Sequence, residues 1–106
     1  MFWAIQQKEE SKLIGTISLW NFNEAKTIAE VDYELHPDFH HKGFMSEALE
    51  SVIEFGFTKL ELVTIEAFTD AKNINSQLLL KKFNFKYESY RKDKGFPNNK
   101  IYIKNK

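Results

Sequence analysis

The run His36-Pro37-Asp38-Phe39-His40-His41-Lys42-Gly43-Phe44-Met45-Ser46-Glu47-Ala48-Leu49 constrains the fold more than any other stretch of this chain. Pro37 has no amide hydrogen and a fixed φ, so a strand arriving from residue 35 must end there. Between residues 43 and 60, Met45, Ala48, Leu49, Val52, Ile53 and Phe57 recur at three- and four-residue spacing. Glu47, Glu50, Glu54 and Lys59 fall mostly elsewhere, which predicts an amphipathic helix. Strand, loop and helix thus follow one another, and the loop carries Lys42 and Gly43. The first amides of a helix lack intrahelical acceptors and its dipole favours negative charge there, so this loop is a phosphate cradle in outline.

The flanking sequence supplies a sheet for that helix. Residues 2–7 read as a strand, 8–12 as a charged turn, and 13–20 as a second strand with Ile14, Thr16 and Ser18 on one face and Leu13, Ile17 and Leu19 on the other. After a polar turn at 21–26, Ile28, Val31, Tyr33 and Leu35 mark a third strand over 27–35, with Tyr33 read as core packing. Beyond the helix, Leu62, Val63, Ile65 and Phe68 make 61–68 dense enough in apolar residues for an interior strand. Asn73 or Asn75 caps a second helix through Ile74, Leu78, Leu79 and Phe83, which Asn84 ends as a left-handed residue. Residues 85–91 and 100–103 read as two last strands around the turn 93–99. The order β-β-β-α-β-α-β-β predicts an α+β fold with a mixed, mostly antiparallel sheet, and 106 residues without a repeat or linker predict one domain over 1–106.

Fifteen basic side chains balance fifteen acidic ones, so no global field would hold a polyanion and no nucleic-acid partner is expected. The chain has no cysteine, which excludes a thiolate nucleophile, a disulfide framework and a thiolate-ligated zinc. No apolar run reaches membrane-spanning length and the first residues carry neither a basic leader nor a cleavage pattern, so no membrane partner and a cytoplasmic location are expected. His36, His40 and His41 cluster, but Pro37 keeps them off a shared helical face and only Asp38 joins them, so they read as loop histidines beside the phosphate site and no metal is expected.

Taken together, Ile14-Gly15-Thr16-Ile17, Tyr33-Glu34-Leu35-His36-Pro37, Lys42-Gly43-Phe44 with Glu47-Ala48, Asn73 with Ser76, and Phe85 resemble the GNAT acetyltransferase superfamily, in its RimJ/RimL-like branch. The resemblance covers nearly the whole chain. It implies acetyl-CoA as co-substrate, held by Leu35, His36, His40, His41, Lys42, Gly43, Phe44, Met45, Ser46, Asn73 and Ser76. The family's loop usually opens on Gln or Arg and closes on Gly or Ala, where this chain has His40 and Met45; Asn84 stands for the usual Gly. Many members place a Tyr four residues after the Ser76 position, where this chain has Leu80, so Ser76 is the candidate acid for the departing thiolate. Read without the resemblance, Asn73 and Ser76 are a helix cap and its first-turn hydroxyl. Transfer to an amine needs a neutral nucleophile, and Glu34 and Glu66 are the candidate bases on the sheet.

The activity implied is N-acetyl transfer from acetyl-CoA to a primary amine, small molecule or peptide, by direct attack. The alternative is an acyl-CoA-binding or interaction module with little or no catalysis, because a strand and two helices that normally precede residue 2 in the family have no counterpart here. Their absence, with Phe2, Trp3, Trp20 and Phe22 near the exposed edge, leads to the expectation of a homodimer.

Overall fold

The computed structural model describes residues 1–6, 13–39 and 43–106. Its elements are β1 (Phe2–Gln6), β2 (Leu13–Trp20), β3 (Ile28–Leu35), a 3-10 turn (Pro37–Phe39), α1 (Phe44–Thr58), β4 (Thr64–Asp70), α2 (Ile74–Lys82), β5 (Lys86–Tyr87) and β6 (Asn99–Asn105). The strands form one sheet in the order β1-β2-β3-β4-β6-β5. Neighbours are antiparallel except β3 with β4, which α1 joins as a crossover.

The α+β fold and element order agree with the sequence reading, and the boundaries move for local reasons. The expected strand 61–68 begins at Thr64 because Glu61 takes a left-handed φ of 56° and the Leu62 amide donates to the Gly56 carbonyl, closing α1 before the chain extends. β4 then runs on to Asp70, since β6 pairs with it from Thr64↔Asn105 to Asp70↔Asn99. The same pairing lengthens β6 beyond 100–103, whereas the expected strand 85–91 shrinks to Lys86–Tyr87.

Alternation along the strands sends one set of side chains beneath the helices. Ile17, Leu19, Ala29, Val31, Ile65, Ala67 and Tyr102 meet Met45, Leu49, Val52, Ile53 and Phe57 of α1 together with Leu80 and Phe85. Leu49 and Leu80 are wholly buried, and apolar burial of this kind contributes about 1.5–3 kcal/mol per large side chain. Trp3 turns inward and meets Phe55 edge-on at 5.5 Å, while Phe2 and Trp20 stay exposed on the other face. Gly15 lies where β2 meets the end of β3: a Cβ there would stand 2.5 Å from the Glu34 carbonyl oxygen, so the close strand approach excludes a side chain.

On the face away from the core, Glu30 and Glu66 sit directly opposite each other in the β3–β4 register. Arg91 hydrogen-bonds the Glu66 carboxylate, and Asn21 Nδ2 donates to Glu30 at 3.3 Å. Burial, offset in part by the Asn21 bond and reinforced by Asp32, Asp93 and Glu66, holds the Glu30 carboxyl above its usual value of 4.5. The folded state therefore grips this proton more tightly than the unfolded state, so the stability is present below the ordinary carboxylate value and is lost as pH rises through the raised one. Glu30→Gln should melt close to wild type in mild acid and above it at pH 7; thermal denaturation across that range checks this, and a gap that does not open with pH contradicts it.

Candidate functional site

Parallel pairing of β3 with β4 runs from Ile28↔Thr64 to Val31↔Ala67 and stops. Beyond that point β3 continues beside β2, as far as Gly15↔Leu35, and β4 continues beside β6 to Asp70↔Asn99. Each strand keeps its outer neighbour while residues 32–35 and 68–70 lose the inner one. The sheet splays, leaving two backbone edges open toward a gap.

The N-terminus of α2 leans over that gap, held by polar side chains. Asn73 Oδ1 accepts the Ser76 amide at 3.1 Å, an N-cap that satisfies a first-turn donor. Gln77, 5% exposed, donates Nε2 to the Ala71 carbonyl at 2.9 Å and accepts at Oε1 from the Tyr102 hydroxyl at 3.1 Å. Helix α2 is thereby tied to the exit of β4 and to β6. Its apolar pattern misled the reading of which face is inside: Ile74 and Leu78 are exposed, while Ser76, Gln77 and Leu80 are buried.

Two cavities occupy the splay. The larger, about 570 Å³, is walled by Glu34, Leu35 and Phe39, by Gly43, Phe44, Met45 and Ser46 at the start of α1, and by Asn75, Leu78, Leu79 and Lys82 of α2. The smaller, about 190 Å³, is walled by Val31, Asp32, Ala67, Phe68, Thr69 and Asp70. Tyr33, Asn73 and Ser76 line both. The Tyr33 hydroxyl and Ser76 Oγ are 2.7 Å apart, a hydrogen bond across the gap from β3 to α2. Burial raises the Tyr33 phenol above its usual value, with Asp32 adding to the shift and the Ser76 bond opposing it, so the phenol keeps its proton at neutral pH.

At the far end of the larger cavity α1 begins. Gly43 occupies its N-cap at a φ of 83°, a conformation natural to glycine, and among the described residues no side chain caps the helix. The first residues of α1 line the cavity wall, and Lys82 Nζ donates to Ser46 Oγ at 2.9 Å across the same mouth. One end of the cavity carries a helix dipole and an ammonium, the middle is apolar, and the other end carries two hydroxyls. Such a space suits an extended ligand with an anionic head and an apolar arm.

The structure therefore brings together Glu34, Leu35, Gly43, Phe44, Met45, Ser46, Asn73 and Ser76. Met45, whose length matters where a small residue is usual, is 7% exposed and belongs to the core cluster. His36 lies outside the cavity walls; its Nδ1 accepts from the Asp38 amide at 3.2 Å. His40, His41 and Lys42 lie outside the described residues. Glu66, the other carboxylate expected as a candidate base, does not face the splay: it sits where β3 and β4 are still paired, its carboxylate accepts from Arg91, and it walls neither cavity. Tyr33 and Lys82 line the cavities without having been expected there, and Gln77 holds α2 behind them. Among the described residues no group of His, Asp and Glu is arranged to hold a metal ion.

Residues 1–86 match the family model of the acetyltransferase (GNAT) domain. The uncharacterized N-acetyltransferase YoaA of Bacillus subtilis (strain 168) is 32% identical over 97% of this chain and 58% of its own length. The uncharacterized N-acetyltransferase p20 of Bacillus licheniformis is 36% identical over 85% of this chain and 51% of its own, so the chain spans about half the length of the curated relatives it matches. Among solved structures, the ribosomal-protein-S5-alanine acetyltransferase of Vibrio fischeri superposes with a TM-score of 0.79 at 27% identity, covering 92% of this chain and 57% of that one.

Because Gln77 satisfies groups that burial would otherwise leave unpaired, Gln77→Ala should cost about 1–3 kcal/mol. Urea denaturation measures it, and an unchanged midpoint would show that α2 is held by its apolar contacts alone.

Proposed function

Since the chain belongs to the GNAT acetyltransferase family, we propose that it binds acetyl-CoA in the larger cavity and transfers the acetyl group to a primary amine by direct attack, acting as one domain over residues 1–106. The observation that carries this reading is the continuity of that cavity from the uncapped start of α1 to the Ser76 hydroxyl. The pyrophosphate would meet the amides of residues 44–46 and Lys82. The pantetheine arm, which carries amides, would lie between the open backbone edges and meet Asn73.

In the reaction the amine nitrogen attacks the thioester carbonyl carbon, the carbon–sulfur bond breaks and the thiolate leaves. The nitrogen must lose a proton and the sulfur must gain one. Ser76 stands at the junction of the two cavities and is the candidate acid. Of the two carboxylates that the sequence offers as base, Glu34 is exposed on the wall of the larger cavity. The acceptor is of the kind named for similar proteins, which include a ribosomal-protein alanine acetyltransferase and a spermidine N-acetyltransferase. A cysteine-free chain suits the reducing cytoplasm, and the exposed Phe2 and Trp20 beside the open edge of β1 favour a homodimer.

Calorimetric titration with acetyl-CoA, followed by thiol release with a panel of amines, tests the proposal. Binding with amine-dependent release supports transfer; binding without release supports an acyl-CoA-binding module instead, and no binding removes both. Gly43→Val, placed at a φ that β-branched residues avoid, should weaken acetyl-CoA binding by roughly tenfold through displaced backbone donors. Lys82→Ala should cost about 1 kcal/mol, because those donors remain. Unchanged affinity in Gly43→Val, with circular dichroism intact, would move the anion site elsewhere.

A further inference from the structure

Of the three residues that line both cavities, Asn73 spends its carbonyl oxygen capping the Ser76 amide, and the other two carry hydroxyls already bonded to each other. Among the described residues no carboxylate is common to the two cavities: Glu34 reaches only the larger, Asp32 and Asp70 only the smaller. Leu80 is wholly buried in the core and offers no alternative. Resting on the acetyl-transfer reading above, we propose that Tyr33 completes a two-hydroxyl proton relay through Ser76, linking the amine in the smaller cavity to the thioester sulfur in the larger.

The relay balances without an outside base, so Tyr33 takes the place of Glu34, which reaches only the larger cavity, as acceptor of the amine proton. As the carbon–sulfur bond breaks, sulfur takes the Ser76 hydroxyl proton, Ser76 Oγ takes the Tyr33 proton, and Tyr33 oxygen takes the proton that the acylated nitrogen must lose. The net change is one proton from nitrogen to sulfur, and both hydroxyls end as they began. The geometry suits each part: Tyr33 is half-buried on β3, reaches α2 across the splay, and touches both spaces. Its phenol stays protonated, as a donor to Ser76 must. Asp32 is the charged neighbour on its own strand, and it opposes a phenolate.

The test uses the whole chain with acetyl-CoA and an amine that the wild type turns over. Tyr33→Phe keeps the ring and its packing while removing the hydroxyl, and its kcat should fall about 10–100-fold with the KM for acetyl-CoA within about twofold. The double variant Tyr33→Phe/Ser76→Ala should be no slower than Ser76→Ala alone, because the two residues act as a unit. In mixtures of light and heavy water the wild-type rate should report more than one proton in flight, a readout that a purely structural Tyr33 would not produce. A Tyr33→Phe variant with wild-type kcat, effects of the two substitutions that multiply, or a single proton in flight in the wild type each overturns the relay while leaving acetyl transfer intact. Acetyl-CoA bound without thiol release from any amine removes the transfer reading and the relay with it.

Discussion

Both cavities walled by the described residues depend on where one strand pairing stops. β3 and β4 are parallel neighbours over four residue pairs, Ile28↔Thr64 to Val31↔Ala67, and then part. The parting is stable because each strand retains a complete ladder on its outer side, β2 for one and β6 for the other. The inner sides of the two strands then draw apart, and the gap between them opens from the last shared pair, Val31↔Ala67.

Both helices are placed by the same feature. α1 crosses over the sheet to join the diverging pair, so its start, with Gly43 at the N-cap, falls at the open end of the splay. α2 follows β4 and leans back over the gap, where Asn73 and Gln77 fix its first turn against the exit of β4. The Tyr33–Ser76 hydrogen bond then spans from one diverging side to the other and separates the two cavities. The groups that hold the first turn of α2 therefore also place Ser76 on the wall of both cavities.

Much of this was legible in the chain. The alternation in 13–20 and 27–35, the stop at Pro37 and the three- and four-residue spacing after Gly43 fixed the element order and the place of the loop. Apolar periodicity failed on α2 because it assumes that apolar residues face the core and polar ones face water. Here Ser76 and Gln77 are buried in a hydrogen-bonded network while Leu78 lines a cavity. Glu66 was indistinguishable from a cleft carboxylate until the register placed it in the paired half of the sheet, with Arg91 coming from a loop distant in sequence. Tyr33 read as packing because alternation gives a face and not a neighbour. Its partner lies forty-three residues on, at a separation no local pattern encodes.

Whether acetyl-CoA enters the splay is tested most directly by residue-resolved amide chemical shifts during titration. Shifts should concentrate on residues 32–35 and 68–70, on 43–46 and on the first turn of α2. The paired halves of β3 and β4 and the face bearing Glu30 and Glu66 should stay still. Shifts centred on that opposite face, or saturable binding that leaves both open edges unmoved, would contradict the account.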